Sequence, residues 1–276
     1  MRHGRTLRIA ALAMSWVIAL AAYAAPSAEL WERWVPHDPS SDTVVDHSAW
    51  DRLVRDYLRP GPDGIARFAY ASVSPAGRAA LSGYLEALST VGVTALRRAE
   101  QKAFWINLYN ALTVDVVLEH YPVESIRDIS ISPGFFSTGP WKKPFISVEG
   151  TPLTLDDIEH RILRPVWQDP RVHYVLNCAS LGCPNLPPRA LGAADLETML
   201  EAAAVAFVNH SRGVRVEDGT TTVSKIYEWF RDDFGSDERA VLAHVRRYAR
   251  GTLAGALAGV ETIDRYAYDW GLNDAR

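Results

Sequence analysis

From residue 48 to 58 the apolar side chains fall at Trp50, Leu53, Val54, Tyr57 and Leu58, the spacing of one helix face, and Pro60 closes the run. Gly61-Pro62-Asp63-Gly64 is turn chemistry leading into a short strand. A second amphipathic helix is predicted from Ser74, a good N-cap followed by Pro75 at the first helical position. The longest helical pattern runs from about Ala95 to His120. Its centre, 103–117, is apolar on most faces, which predicts a helix buried inside the domain. Asn107 and Asn110 interrupt that stretch, and as buried amides they need partners, supplied by a neighbouring loop or by a site.

After Pro122 the chain is loop-rich until "PFISVEG" (144–150), which reads as a strand closed by a turn at Glu149-Gly150. Residues 154–164 read as a helix with Thr154 as N-cap, Asp157 three positions on, and Pro165 as its stop. Asp169-Pro170 turns the chain into a predicted strand, "VHYVLNC". A helix follows at about 193–211, then a hairpin about Asp218-Gly219, two helices broken at Gly235, and a last strand carrying Ile263, Tyr266 and Tyr268. These elements interleave. They predict the α+β class, with one domain over 46–276 in which helices pack on a small antiparallel sheet.

The N-terminus changes the setting. Residues 1–25 carry Arg2, Arg5 and Arg8 and then an apolar run too short for a spanning helix, ending in small residues, the pattern of a cleaved export signal. Residues 26–45 read as an N-terminal arm. The expectation is a periplasmic or extracellular protein with no membrane association once the signal is gone. Losing three arginines and no acids moves the formal charge from −4 to −7, which argues against a nucleic-acid binder. An apolar fraction of 48% with nine tryptophans supplies a packed core, and the tryptophans are read as core, with Trp141 in a Gly/Pro loop as the candidate for exposure.

The only two cysteines, Cys178 and Cys183, lie in "VHYVLNCASLGCPN". In an oxidising compartment they can pair, although a bridge over so short a loop removes little chain entropy. Two cysteines without paired histidines do not make a structural zinc site, so neither a metal nor a cofactor is expected. A cysteine nucleophile needs a base, and His173 is close in sequence. Strand alternation would point His173 and Cys178 to opposite faces, whereas the "ASLG" turn would return Cys183 toward His173. Cys183 is therefore the preferred nucleophile, with Cys178 second. Pro184 removes the next backbone N–H, so an oxyanion donor must come from elsewhere. Glu159, Asp156 and Asn107 are the candidates for the group that orients the imidazole.

Six stretches, "AFWINLYNALT", "YPVESIRDI", "TLDDIEHRILR", "DPRVHYVLNCASLGCPNL", "SKIYEWFRDDFG" and "YAYDWGLN", together resemble the family catalogued as domain of unknown function 547, from about residue 46 to 273. The resemblance implies a papain-like or transglutaminase-like cysteine-enzyme fold. Its histidine–cysteine motif falls on His173, Cys178 and Cys183, and its acidic helix motif on Glu159. The histidine precedes the cysteines, as in circularly permuted relatives. The function expected is a cysteine-dependent hydrolase or acyl transferase acting on an amide or thioester bond of a peptide or small molecule. Cys183 would attack, His173 would act as base, and Glu159 would orient it. The rival expectation is a non-catalytic binding or envelope-interaction domain with a Cys178–Cys183 disulfide.

Overall fold

The computed structural model describes residues 26–134 and 138–275, so the export-signal expectation lies outside the described residues. The amphipathic run forms α1 (Ser48–Tyr57), followed by a hairpin of β1 (Leu58–Pro60) and β2 (Ala66–Phe68). Helix α2 (Pro75–Ser89) starts where expected, with the Ser74 hydroxyl accepting from the Gly77 N–H.

Helix α3 (Arg98–His120) is the axle of the molecule, buried on every side from Glu100 to Val114. A helix so enclosed must satisfy its polar side chains internally; Thr113 Oγ1 donates to the Tyr109 carbonyl within the helix, and five others tie down loops. Glu100 accepts from Val45 N–H, Gln101 donates to the Pro36 and Val93 carbonyls, and Lys102 bonds Asp169 at 2.6 Å. Asn107 grips Leu191 through both its N–H and its carbonyl. Asn110 donates to the Val175 carbonyl and accepts from Asn177 N–H, which fixes the segment leading into the cysteines.

A second hairpin, β3 (Ile146–Val148) and β4 (Thr151–Leu153), leads to the acidic helix motif. The Thr154–Asp157 capping box forms, each residue bonding the other's backbone N–H. The helix it opens is not α-helical: Asp157–Leu163 is a π-helix that runs on into α4 (Arg164–Trp167). Pro165 is therefore not the stop; it sits inside the helix, where the π-type spacing and its missing N–H leave carbonyls free. The N-terminal arm uses them, with Glu29 N–H on the His160 carbonyl and Trp31 N–H on that of Arg161.

Asp169 then caps a 3₁₀ helix, Pro170–Tyr174, in place of the expected strand. Val172 and Tyr174–Leu176 are buried together, which a half-exposed strand would not allow. The rest comprises α5 (Leu196–Val208), β5 (Val214–Glu217), β6 (Thr220–Ser224), α6 (Ile226–Trp229), α7 (Arg231–Phe234), α8 (Glu238–Tyr248), α9 (Gly251–Ala256) and β7 (Arg265–Ala267). The β5–β6 hairpin turns at Asp218-Gly219, both at positive φ, and β7 pairs parallel to β6. The chain is α+β, but the expected single antiparallel sheet is replaced, among the described residues, by two hairpins and one mixed three-stranded sheet. No helix among the described residues is long and apolar enough to cross a membrane.

Candidate functional site

His173 sits on the 3₁₀ helix, whose cap Asp169 is clamped by Lys102 from α3 and by Arg171. Its ring lies against Phe230, with centroids 4.2 Å apart and planes 15° from parallel. Nε2 bonds Asp233 Oδ2 at 2.7 Å, and Nδ1 stands 3.7 Å from Glu159 Oε1. Arg164 holds Asp233 from the other side, with Nε on Oδ2 at 2.6 Å and Nη2 on Oδ1 at 3.2 Å. The orienting hydrogen bond thus comes from Asp233, while Glu159 faces the second ring nitrogen at a longer distance.

A carboxylate only accepts, so Nε2 carries the hydrogen and Nδ1 keeps the lone pair. Burial lowers the pKa of His173, against the pull of Asp233, which favours the neutral ring. Burial pushes the Asp233 carboxyl up, but bonds from His173 and Arg164 more than offset it and hold it at about 2. Glu159 behaves oppositely. Burial raises it to about 7, with Arg164 opposing, and Tyr109 hydrogen-bonds it. Burial likewise raises Asp156 to about 6.

Cys178 and Cys183 are joined as a disulfide. Both cysteines line a cleft of about 70 Å³ that is also lined by His173, Glu159, Asp156 and Tyr109. The strand that would have pointed His173 and Cys178 apart does not form, and both residues line the cleft. Trp229 and Trp270, read as core, line the cleft too, together with Trp141, the tryptophan expected to be exposed. Trp229 and Trp270 pack on Tyr268 at centroid distances of 4.8 and 4.7 Å.

The cysteine loop is fixed by the C-terminal segment. Leu181 N–H bonds the Gly271 carbonyl, Gly182 N–H the Asp269 carbonyl, and Asn273 N–H the Ala179 carbonyl. A Cβ on Gly182 would lie 2.7 Å from Asp269 N, so only glycine permits this approach. Between the cysteines Ala179 holds φ at 57°, a left-handed conformation rare for a side-chain-bearing residue and stabilised by its N–H on Asn177 Oδ1.

Cys183 Sγ accepts the Cys178 N–H at 3.0 Å and the Tyr268 hydroxyl at 3.2 Å. Cys178 Sγ contacts the Ser180 and Tyr268 hydroxyls at 3.3 and 3.0 Å. Burial raises the Tyr268 pKa, so its hydroxyl stays a donor. These donors stand where Pro184, lacking an N–H, supplies none.

The candidates divide cleanly. Cys183, His173, Glu159, Cys178 and Asp156 share one cleft, whereas Asn107 spends its amide on Leu191 and is absent from the cleft wall. Sequence reasoning missed Asp233, Arg164, Phe230 and Tyr268. For Asp233, Phe230 and Tyr268 the available signal was their place in "SKIYEWFRDDFG" and "YAYDWGLN". For Arg164 it was the last position of "TLDDIEHRILR".

A family model described as "Protein of unknown function, DUF547" matches residues 93–208. That span holds α3, the π-helix, His173 and both cysteines, while Asp233 and Tyr268 lie beyond it. Comparison with curated proteins and with solved structures returned no match.

Proposed function

We propose that this cleft is a cysteine-dependent acyl-transfer site, a hydrolase or transferase acting on an amide or thioester bond. The observation that carries the reading is the convergence of Cys183, a clamped His173 and Glu159 on one cleft. In the reduced protein His173 Nδ1 takes the Cys183 proton, and the thiolate attacks the substrate carbonyl. The Cys178 N–H and the Tyr268 hydroxyl, which bond Cys183 Sγ, are the donors on hand for the charge that develops. The leaving group departs with the proton from Nδ1, a thioester forms on Cys183, and water or a second nucleophile releases the acyl group. Asp233 keeps the ring in the tautomer that leaves Nδ1 basic. Glu159, raised to about 7 by burial, is available as a proton donor beside Nδ1. We place the activity outside the cytoplasm, on the export pattern of residues 1–25, and in a papain-like or transglutaminase-like fold, on the order and chemistry of the motifs.

The test uses p-nitrophenyl acetate on protein reduced with dithiothreitol and then freed of it. A burst of p-nitrophenolate with an acetyl group mapped to Cys183 is expected, absent from the unreduced protein. No adduct on Cys183, or the same adduct on denatured chain, ends the proposal. The second reading rests on the disulfide itself: a non-catalytic binding cleft stapled at its wall, which that negative result would favour.

A further inference from the structure

The disulfide and the proposed nucleophile are the same sulfur, so the site as it stands cannot react until the bond opens. We infer that Cys178 is a second functional cysteine, the sulfur at which an external dithiol opens the bond and releases Cys183. The inference rests on the acyl-transfer reading only in naming Cys183 as the group set free.

Thiol–disulfide exchange has a direction. The attacked sulfur must be accessible, and the sulfur that leaves must be the one better able to carry charge. The two cysteines differ in both respects. Cys183 is 4% exposed, whereas Cys178 is only partly buried. Among the described residues the one backbone N–H aimed at either sulfur, that of Cys178, points at Cys183 Sγ, and the Tyr268 hydroxyl adds a second donor there. Tyr268 also reaches Cys178 Sγ, so the backbone donor is what separates the two. A thiolate arriving at Cys178 Sγ forms a mixed disulfide, the Cys178–Cys183 bond breaks, and its electron pair stays on Cys183 between two donors already in place.

The chemistry of the co-reactant follows. After this first step the Cys183 thiolate lies five residues from the mixed disulfide, at high effective concentration, and closes again onto Cys178, expelling a monothiol. A dithiol escapes that reversal because its own second thiol attacks the sulfur that its first has linked to Cys178. The dithiol leaves as a cyclic or intramolecular disulfide, and Cys178 is left as a thiol. Two electrons pass from the dithiol to the cysteine pair. The partner class is therefore a dithiol reductant, small or protein-borne, entering by the catalytic cleft.

The experiment compares the oxidised full chain in glutathione and in dithiothreitol at equal thiol concentration, with acid quenching, alkylation and peptide mapping. Glutathione is expected on Cys178 at least about tenfold more often than on Cys183, at low steady occupancy. Dithiothreitol is expected to drive both cysteines to free thiols. Tyr268→Phe is expected to slow opening by about tenfold, the effect of losing one hydrogen bond to a charged group. Glutathione mainly on Cys183, or a bond that resists dithiothreitol until the chain is denatured, overturns the inference. Clean opening at Cys178 followed by no acetyl transfer to Cys183 leaves it standing and removes the acyl-transfer reading instead.

Discussion

At the scale of single residues, Asp233 does two jobs that one substitution separates. It fixes the His173 tautomer through Nε2 and neutralises Arg164, whose side chain is 4% exposed. Asp233→Asn can present its amide N–H to Nε2, which moves the ring hydrogen to Nδ1 and takes the lone pair out of the cleft. Acyl transfer by the reduced protein is expected to fall by roughly two to four orders of magnitude, measured as the p-nitrophenolate burst rate. Stability should drop by about 2–3 kcal/mol in chemical denaturation, since Arg164 loses its counter-charge at a partly accessible pair. The pH dependence has a definite sign. Asp233 is depressed to about 2, so its stabilisation is present above its ordinary value near 4 and lost as pH falls through about 2. Asp233→Asn should flatten that acid limb. Nothing in the local sequence separated Asp233 from Asp232 beside it. The difference is spatial, because only contact with His173 and Arg164 gives one of two adjacent acids a role.

At the scale of elements, α3 shows how two similar amides take different work. Asn107 and Asn110 lie three residues apart on one face, yet one holds Leu191 and the other holds the approach to the cysteines. Replacing either by Leu leaves two buried backbone groups unpaired and should cost about 2–5 kcal/mol. Only Asn110→Leu is expected also to change how fast the disulfide opens with dithiothreitol, a difference that kinetics under native conditions would register. Gly182→Ala should act on the same loop from its far side. Its Cβ would collide with the backbone at Asp269, costing about 1–3 kcal/mol in denaturation. Elements with a local signal were legible: the faces of α1 and α2, the Ser74 cap, the Thr154–Asp157 box and the Asp218-Gly219 hairpin. The 3₁₀ helix was not, because the apolar run at 172–176 reads as a strand until the burial of Val172 and Tyr174–Leu176 together is known. The π-helix was hidden too, since Pro165 reads as a stop when the arm that takes up the freed carbonyls lies more than a hundred residues earlier.

At the scale of the whole molecule, the site lies where two buried clusters meet. One is built on α3 with Val175 and Leu176, the other on α5 and α8 with Tyr174 and Phe234. The 3₁₀ helix crosses that seam. It carries His173 to Asp233 and Phe230, beside Phe234 of the second cluster, and to Glu159, beside Ile158 and Ile162 of the first. The interleaved element pattern predicted the α+β class and the motifs pointed to Cys178, Cys183, His173, Glu159 and Asp156 in the cleft, but not to the seam, which exists only in three dimensions. The seam's cost appears in Glu159, whose carboxyl is raised to about 7 by burial. Stability associated with its protonated form is fully present below its ordinary value near 4 and is lost as pH rises through about 7. Glu159→Gln should therefore flatten the decline in melting temperature between about pH 4 and 7 and leave the variant more stable than the parent at pH 8. A parallel decline in both proteins would place the effect elsewhere.

The most direct test of the central claim is the pH dependence of Cys183 alkylation in the reduced protein. Iodoacetamide labelling, resolved by peptide mass spectrometry, gives an apparent pKa for that one sulfur. With His173 Nδ1 as base and the Cys178 N–H and Tyr268 hydroxyl as donors, the value should lie clearly below the roughly 8.5 of a free thiol. In His173→Ala it should return toward that figure, with the rate at neutral pH falling by about tenfold or more. A Cys183 that titrates like a free thiol in the parent, and is unmoved by His173→Ala, would contradict the account.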